Sequence, residues 1–104
     1  MALRWHRQAL DDLRGIHDYI AAESPGAARR VISHLREQAR LLPLYPEIGR
    51  SGRLPGTREL VVVRFPYILA YRALGEDVEI LLVVHTSRLW PEQLPASPSD
   101  TGSV

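Results

Sequence analysis

The sequence predicts an α+β domain: an antiparallel sheet with a helical hairpin packed on one face, in the order β-α-α-β-β-β. Two observations carry this expectation. As far as Leu42 the apolar residues recur at helical spacing, and from Thr57 onward they crowd into β-branched runs separated by turn residues. Between the two regimes, Pro43 to Gly56 holds three Pro and three Gly in fourteen residues. A length of 104 residues fits one domain. We place that domain at residues 1–95 and expect residues 96–104, rich in Pro, Ser, Asp, Thr and Gly, to be a disordered tail.

Leu3 to Trp5 reads as a short edge strand. Ala9, Leu13, Ile16 and Ile20 then form an i, i+4, i+7, i+11 stripe, the apolar face of a first helix, with Asp11, Asp12, Arg14, Asp18 and Glu23 mostly off it. Ser24-Pro25 marks a helix start, because a Ser oxygen caps the first free N–H groups and Pro tolerates the first helical position. Ala28, Val31, Ile32, Leu35, Ala39 and Leu42 share one face of the second helix, which Pro43 is expected to end. The Pro43–Gly56 stretch reads as a long loop. Thr57 to Val63, Tyr67 to Leu74 and Val78 to His85 follow as strands, with Phe65-Pro66 as one break and Gly75-Glu76-Asp77 as a hairpin turn. Leu60 to Val63 and Ile80 to Val83 are apolar on both faces, so the face away from the helices also needs cover, from the chain, a second copy or a partner.

Composition excludes several chemistries. The absence of Cys rules out disulfides, Cys-ligated zinc and a Cys nucleophile. No apolar run approaches the roughly 18 residues of a membrane span, and Met-Ala-Leu-Arg-Trp-His has no apolar signal core, so a cytoplasmic protein is expected. No Walker loop, dinucleotide fingerprint, H-E-x-x-H or G-x-S-x-G motif is present, and the four His lack ligand spacing; neither a metal nor a cofactor is expected. All thirteen basic residues are Arg. Nine of them lie between Arg29 and Arg72 against three Glu, leaving that stretch at +6 although the whole chain is only +1. Arg suits phosphate and carboxylate, so either an anionic partner or a solvating, composition-driven surface explains the excess. Gly49-Arg50-Ser51-Gly52-Arg53 offers backbone N–H groups and two guanidinium groups to an anion; a flexible loop is the plainer reading.

The residues that carry most chemistry are Arg58, Arg64, Arg72, His85 and Arg88, placed at or near strand ends where a meander can gather them on one face. A His with several Arg can cleave RNA without metal, the His carrying a proton and the Arg stabilising a crowded phosphate. The same groups also make an anion- or protein-binding surface, or simple ion pairs with Glu59 or Glu79. Trp5, Tyr67 and Tyr71 are expected in the core, and Trp90, beside Pro91, is open to either role.

The spacing of Leu3–Trp5, Ala9-x-x-Asp12-Leu13-x-x-Ile16-x-x-Tyr19-Ile20, Leu44-Tyr45-Pro46-x-x-Gly49-Arg50, Leu54 to Leu60, Pro66 to Arg72 and Val78 to Pro91 resembles the RelE/ParE superfamily, toxins of type II toxin–antitoxin operons. The resemblance implies that fold and a cognate antitoxin, for which Leu13, Ile16 and Tyr19 are candidate contacts; a homodimer or higher toxin–antitoxin assembly is also open. One branch of the superfamily cuts ribosome-bound mRNA and the other, ParE-like, inhibits DNA gyrase. In the cutting branch the stretch matching Tyr67-Ile68-Leu69-Ala70-Tyr71 commonly reads Tyr-Arg-Leu-Val-Tyr with a catalytic Arg, and here Ile68 stands in its place. The Lys pair of some ribonuclease members is absent too, and a pI near 8.3 is modest for a competitor for ribosomal RNA. These departures favour the ParE-like branch and gyrase, with Arg58, Arg64, Arg72, His85, Arg88 and Trp90 as target contacts. The alternative is an mRNA endonuclease in which Arg58, Arg72 and Arg88 hold the phosphate and His85 donates the proton.

Overall fold

A computed structural model describes residues 2–87. The chain forms β1 (Leu3–Trp5), α1 (Arg7–Ala21), α2 (Pro25–Ala39), β2 (Arg50–Ser51), β3 (Arg58–Val61), β4 (Tyr67–Leu74) and β5 (Asp77–His85). The α+β class and the helical hairpin are as the sequence predicts. His6 caps α1, its Nδ1 accepting from the Gln8 N–H at 3.0 Å. Ser24 caps α2 as expected, its Oγ accepting from the Ala27 N–H at 3.2 Å, with Pro25 in the first turn. That helix stops at Ala39, three residues short of the predicted Leu42. The N–H groups of Leu41 and Leu42 reach back only three residues, to Gln38 and Ala39, so the last turn tightens before Pro43.

The sheet runs β1-β5-β4-β3-β2. It is mixed: β1 lies parallel to β5, with Leu3 opposite Val78 and Trp5 opposite Ile80, while the other pairings are antiparallel. The expected wholly antiparallel sheet is corrected at this edge. Three residues carry no directional signal of their own; the parallel placement is held by Asp77, which accepts from the Ala2 N–H at 3.0 Å and Arg4 Nε at 2.7 Å. A second correction is β2, a two-residue strand inside the predicted loop, pairing Arg50 with Glu59 and Ser51 with Arg58. Gly75 has φ 63° at the first position of the β4–β5 turn, the place a II′ hairpin reserves for glycine.

The helices cover one sheet face. Ala9, Leu13, Val31, Leu35, Ala39 and Leu42 meet Tyr67, Leu69, Tyr71, Val78, Ile80 and Val83, with Trp5, Ile16 and Ile20 packed against them. Each large side chain buried here contributes roughly 1.5–3 kcal/mol. Trp5 also carries the Arg36 guanidinium 5.5 Å from its ring centre. On the opposite face Ile68, Ala70, Leu82 and Val84 are all under one-tenth exposed in the single chain, so of the expected sources of cover, the chain, a second copy or a partner, the chain itself suffices. A bulge between Ala70 and Tyr71 shifts the β4–β5 register, and Leu81 is fully buried beside it. Among the described residues no helix is long and apolar enough to cross a membrane.

Candidate functional site

The Arg-rich loop does hold an anion, and the anion is the chain's own Glu59. Side chains alternate along β3, which turns Glu59 away from the helices and toward Arg50 on β2. Its carboxylate, 3% exposed, accepts from Arg50 Nη2 at 3.0 Å, from the Arg53 backbone N–H at 2.9 Å and from Arg53 Nε at 3.4 Å. Burial pushes the Glu59 pKa up, but the Arg53 N–H and the two guanidinium groups outweigh it and hold the carboxyl below its ordinary range. Two further backbone donors of the loop are committed as well: Gly52 N–H goes to the Thr57 carbonyl and Gly49 N–H to Tyr71 Oη. The two guanidinium groups that an external anion would need are thus taken by Glu59, and the segment that reads more plainly as a flexible loop is pinned.

Tyr71 fastens the same loop from the helix side. Its hydroxyl accepts from Gly49 N–H at 2.9 Å and donates to the Pro46 carbonyl at 2.8 Å, while Arg58 Nη1 donates to the Gly49 carbonyl at 2.9 Å. Burial raises the Tyr71 pKa, against the Gly49 N–H and the nearby Arg58 charge, so the phenol stays protonated. A Cβ on Gly49 would lie 2.6 Å from Tyr71 Oη and 3.0 Å from the Glu59 backbone; only glycine fits.

Among the described members of the predicted Arg–His set, Arg58 and Arg72 do not converge with His85. Arg58 stands opposite Tyr71 on the helix face, whereas Arg72, one residue on, pairs across to Glu79 on the other face. Glu79 is 1% exposed and accepts from Arg72 Nε at 3.2 Å and Nη2 at 3.0 Å, the ion pair that the sequence left open as the plainer alternative. His85 lies opposite Tyr67 at the far end of β4, its ring 5.3 Å from the Tyr67 ring and edge-on. Four residues of β4 separate the Arg58 register from His85, about 13 Å, and Arg72 is about 17 Å away on the same count. His85 Nδ1 accepts from the Ser87 N–H at 3.1 Å. Arg64 sits at the His85 end, because the Thr86 N–H bonds the Pro66 carbonyl at 2.9 Å and draws the β3–β4 turn against β5. Arg88 and Trp90 lie outside the described residues.

Of the candidate antitoxin contacts, Leu13 is core at 4% exposure and Ile16 is half-buried, so both serve packing; Tyr19 alone, 81% exposed, is open to a partner. Sequence reasoning missed a larger apolar surface. Leu41, Leu44, Tyr45 and Ile48 are all exposed in the segment following α2, which the sequence presented as the end of that helix and a loop. It also missed Asp12, whose Oδ2 accepts from the Val83 N–H at 3.0 Å and caps β5 beyond the end of β1. Among the described residues every buried side-chain nitrogen and oxygen has a partner, and no three His, Asp or Glu gather where a metal would sit.

With this fold and surface in view, comparison with known proteins is informative. A solved structure described as the chromosomal ParDE system from P. aeruginosa superposes with a TM-score of 0.76 at 30% identity, covering 84% of this chain and 97% of that one. The E. coli RelBE toxin–antitoxin complex gives a TM-score of 0.60 at 16% identity over 84% of this chain and 98% of that one, a likeness of fold alone. These define the class as a RelE/ParE-fold toxin. The model of the "ParE toxin of type II toxin-antitoxin system, parDE" matches residues 3–90, and the chain belongs to that family. It is 44% identical over 92 residues to the Sinorhizobium fredii toxin candidate Y4kP, covering 88% of this chain and 95% of that protein. It is 42% identical over 85 residues to the toxin RelE2 of Caulobacter vibrioides, covering 82% and 94%.

Proposed function

We propose that this type II toxin acts by blocking DNA gyrase in the cytoplasm and not by cutting mRNA. The observation that carries the reading is the separation of Arg58 and Arg72 from His85. A metal-free phosphodiester cleavage needs a proton carrier and charge stabilisers within about one hydrogen bond of the same phosphate. Here His85 stands about 13 Å along β4 from the Arg58 register. Arg58 and Arg72 lie on opposite faces, bound to Gly49 and Glu79. The position that would supply a further Arg is Ile68, 4% exposed and closed to any substrate.

Target contact falls to the end of the sheet that carries Arg64 and His85, with Arg88 and Trp90 following in sequence. Arg58 and Arg72 hold the scaffold. An acidic antitoxin segment neutralises the protein by covering Leu41, Leu44, Tyr45 and Ile48, next to the exposed Arg40. The solved structure described as the chromosomal ParDE system from P. aeruginosa supports such a partner.

The test is supercoiling by purified gyrase with and without the chain. Inhibition that weakens at least several-fold in Arg64→Gln and in His85→Ala, both folded, is expected. Unimpaired supercoiling, together with ribosome-dependent mRNA cuts that vanish in His85→Ala, would replace this reading with the endonuclease.

A further inference from the structure

Three guanidinium groups that the fold does not use meet in one cleft. Arg29 and Arg30 on α2 and Arg64 of the β3–β4 turn line it together with Gly26, Ser33, His34 and Glu37; its volume is about 410 Å³. That is within the size range of small-molecule sites, roughly 300–1,000 Å³. None of the three Arg is in an ion pair among the described residues, in contrast to Arg4, Arg50, Arg53 and Arg72. Arg29 and Arg30 fold back over the same bare piece of helix. The point where a Gly26 Cβ would stand is 3.5 Å from Arg30 Nη1 and 3.9 Å from Arg29 Nη2. Arg64 is positioned by Phe65, its guanidinium 5.4 Å from the ring centre, and the same ring meets His34 edge-on at 5.5 Å. Like charges gathered without a counter-ion repel, and Glu37 offsets only one of the three. The cleft therefore favours an anion with several charges close together.

We infer that this cleft binds a short polyphosphate chain, free or carried by a nucleoside. Guanidinium forks pair bidentately with phosphate oxygens, and the Ser33 hydroxyl and His34 ring add hydrogen-bonding atoms. A polyphosphate puts its charges on successive phosphorus atoms within a compact volume. An acidic helix instead spaces its carboxylates by a turn, about 5–6 Å between neighbouring Cβ atoms, and needs an extended face. The cleft shares Arg64 with the surface proposed for the target, but Arg29 and Arg30 belong to the cleft alone, so a test at those two residues does not depend on what that target is.

The experiment is calorimetric titration of the full chain at low salt with sodium tripolyphosphate and, separately, with a nucleoside triphosphate. Amide shifts of Gly26, Ser33, His34 and Phe65 locate the site. Saturable one-to-one binding is expected, weakened roughly tenfold or more in R29Q/R30Q and unchanged in Arg14→Gln, an exposed Arg on α1. R29Q/R30Q should stay folded, since both side chains are exposed and unbonded. Equal affinity for the two ligands identifies the phosphate chain as the recognised group; tighter nucleotide binding adds a held nucleoside. No saturable binding, equal loss in Arg14→Gln, or a tenfold preference for an acidic peptide or duplex DNA through the same Arg would overturn the inference.

Discussion

Glu59 sits on an edge-side strand with two Arg on the adjoining loop, and its near-total burial makes the loop's shape depend on its charge. Its folded pKa lies below the ordinary glutamate value. The stabilisation is therefore complete above the unfolded pKa and is lost as pH falls through the folded one. Asp77, whose pKa is lowered first by Arg4 and then by the Ala2 N–H, acts with the same sign. Thermal melts should accordingly hold steady from neutral into mild acid and then fall, and Glu59→Gln should flatten part of that fall while costing about 1–3 kcal/mol at neutral pH. An acid limb identical in wild type and Glu59→Gln would contradict this role. Gly49→Ala should also destabilise, by about 1–3 kcal/mol, because the new methyl meets both the Tyr71 ring and backbone. Denaturant titration measures both. The sequence offered this loop as an anion holder only beside the plainer reading of a flexible loop, because the anion is a carboxylate six residues further on, brought in by the β2–β3 pairing.

At the scale of elements, β4 and β5 carry the Arg72–Glu79 pair, and its burial makes single substitutions there misleading. Arg72→Ala leaves Glu79 buried without its partner and should cost about 3–5 kcal/mol, a large share of the roughly 5–15 kcal/mol that holds a small domain together. Replacing both residues with Leu should recover most of that stability, and with it growth inhibition in cells. A stable, folded double variant without toxicity would instead make Arg72 a target contact. The helices, the Ser24 cap and the three long strands were legible because periodicity and capping are local signals. The parallel edge of β1 was not, since three residues acquire their direction only from Asp77 and the β5 backbone. The supposed convergence of Arg58 and Arg72 failed for a related reason: it depends on register, and residues opposite Tyr71 and at Arg72 necessarily face opposite ways.

Across the whole molecule, the charge that looked like one basic middle divides in three. Part of it neutralises Glu59 and Glu79 inside the fold, part lines the cleft of Arg29, Arg30 and Arg64, and part stays at the surface around the exposed segment 41–48. On the gyrase reading proposed above, the chain is rich in Arg without these groups forming a ribonuclease centre. Installing the missing group should not restore one. Ile68→Arg would drive a charge into a site 4% exposed, and loss of folding without any RNA cleavage is the expected outcome, read by circular dichroism and a ribosome-bound mRNA assay. The family and fold were legible from ordered motifs along most of the chain. The target was not, because it turns on which side chains remain unengaged after folding.

The most direct measurement is tightly controlled expression of the chain alone in a bacterium, following cleaved-DNA complexes, plasmid supercoiling and mRNA integrity in the same arrested culture. Gyrase-type DNA damage with intact mRNA is the predicted result. Ribosome-dependent mRNA cuts with undamaged DNA would contradict it.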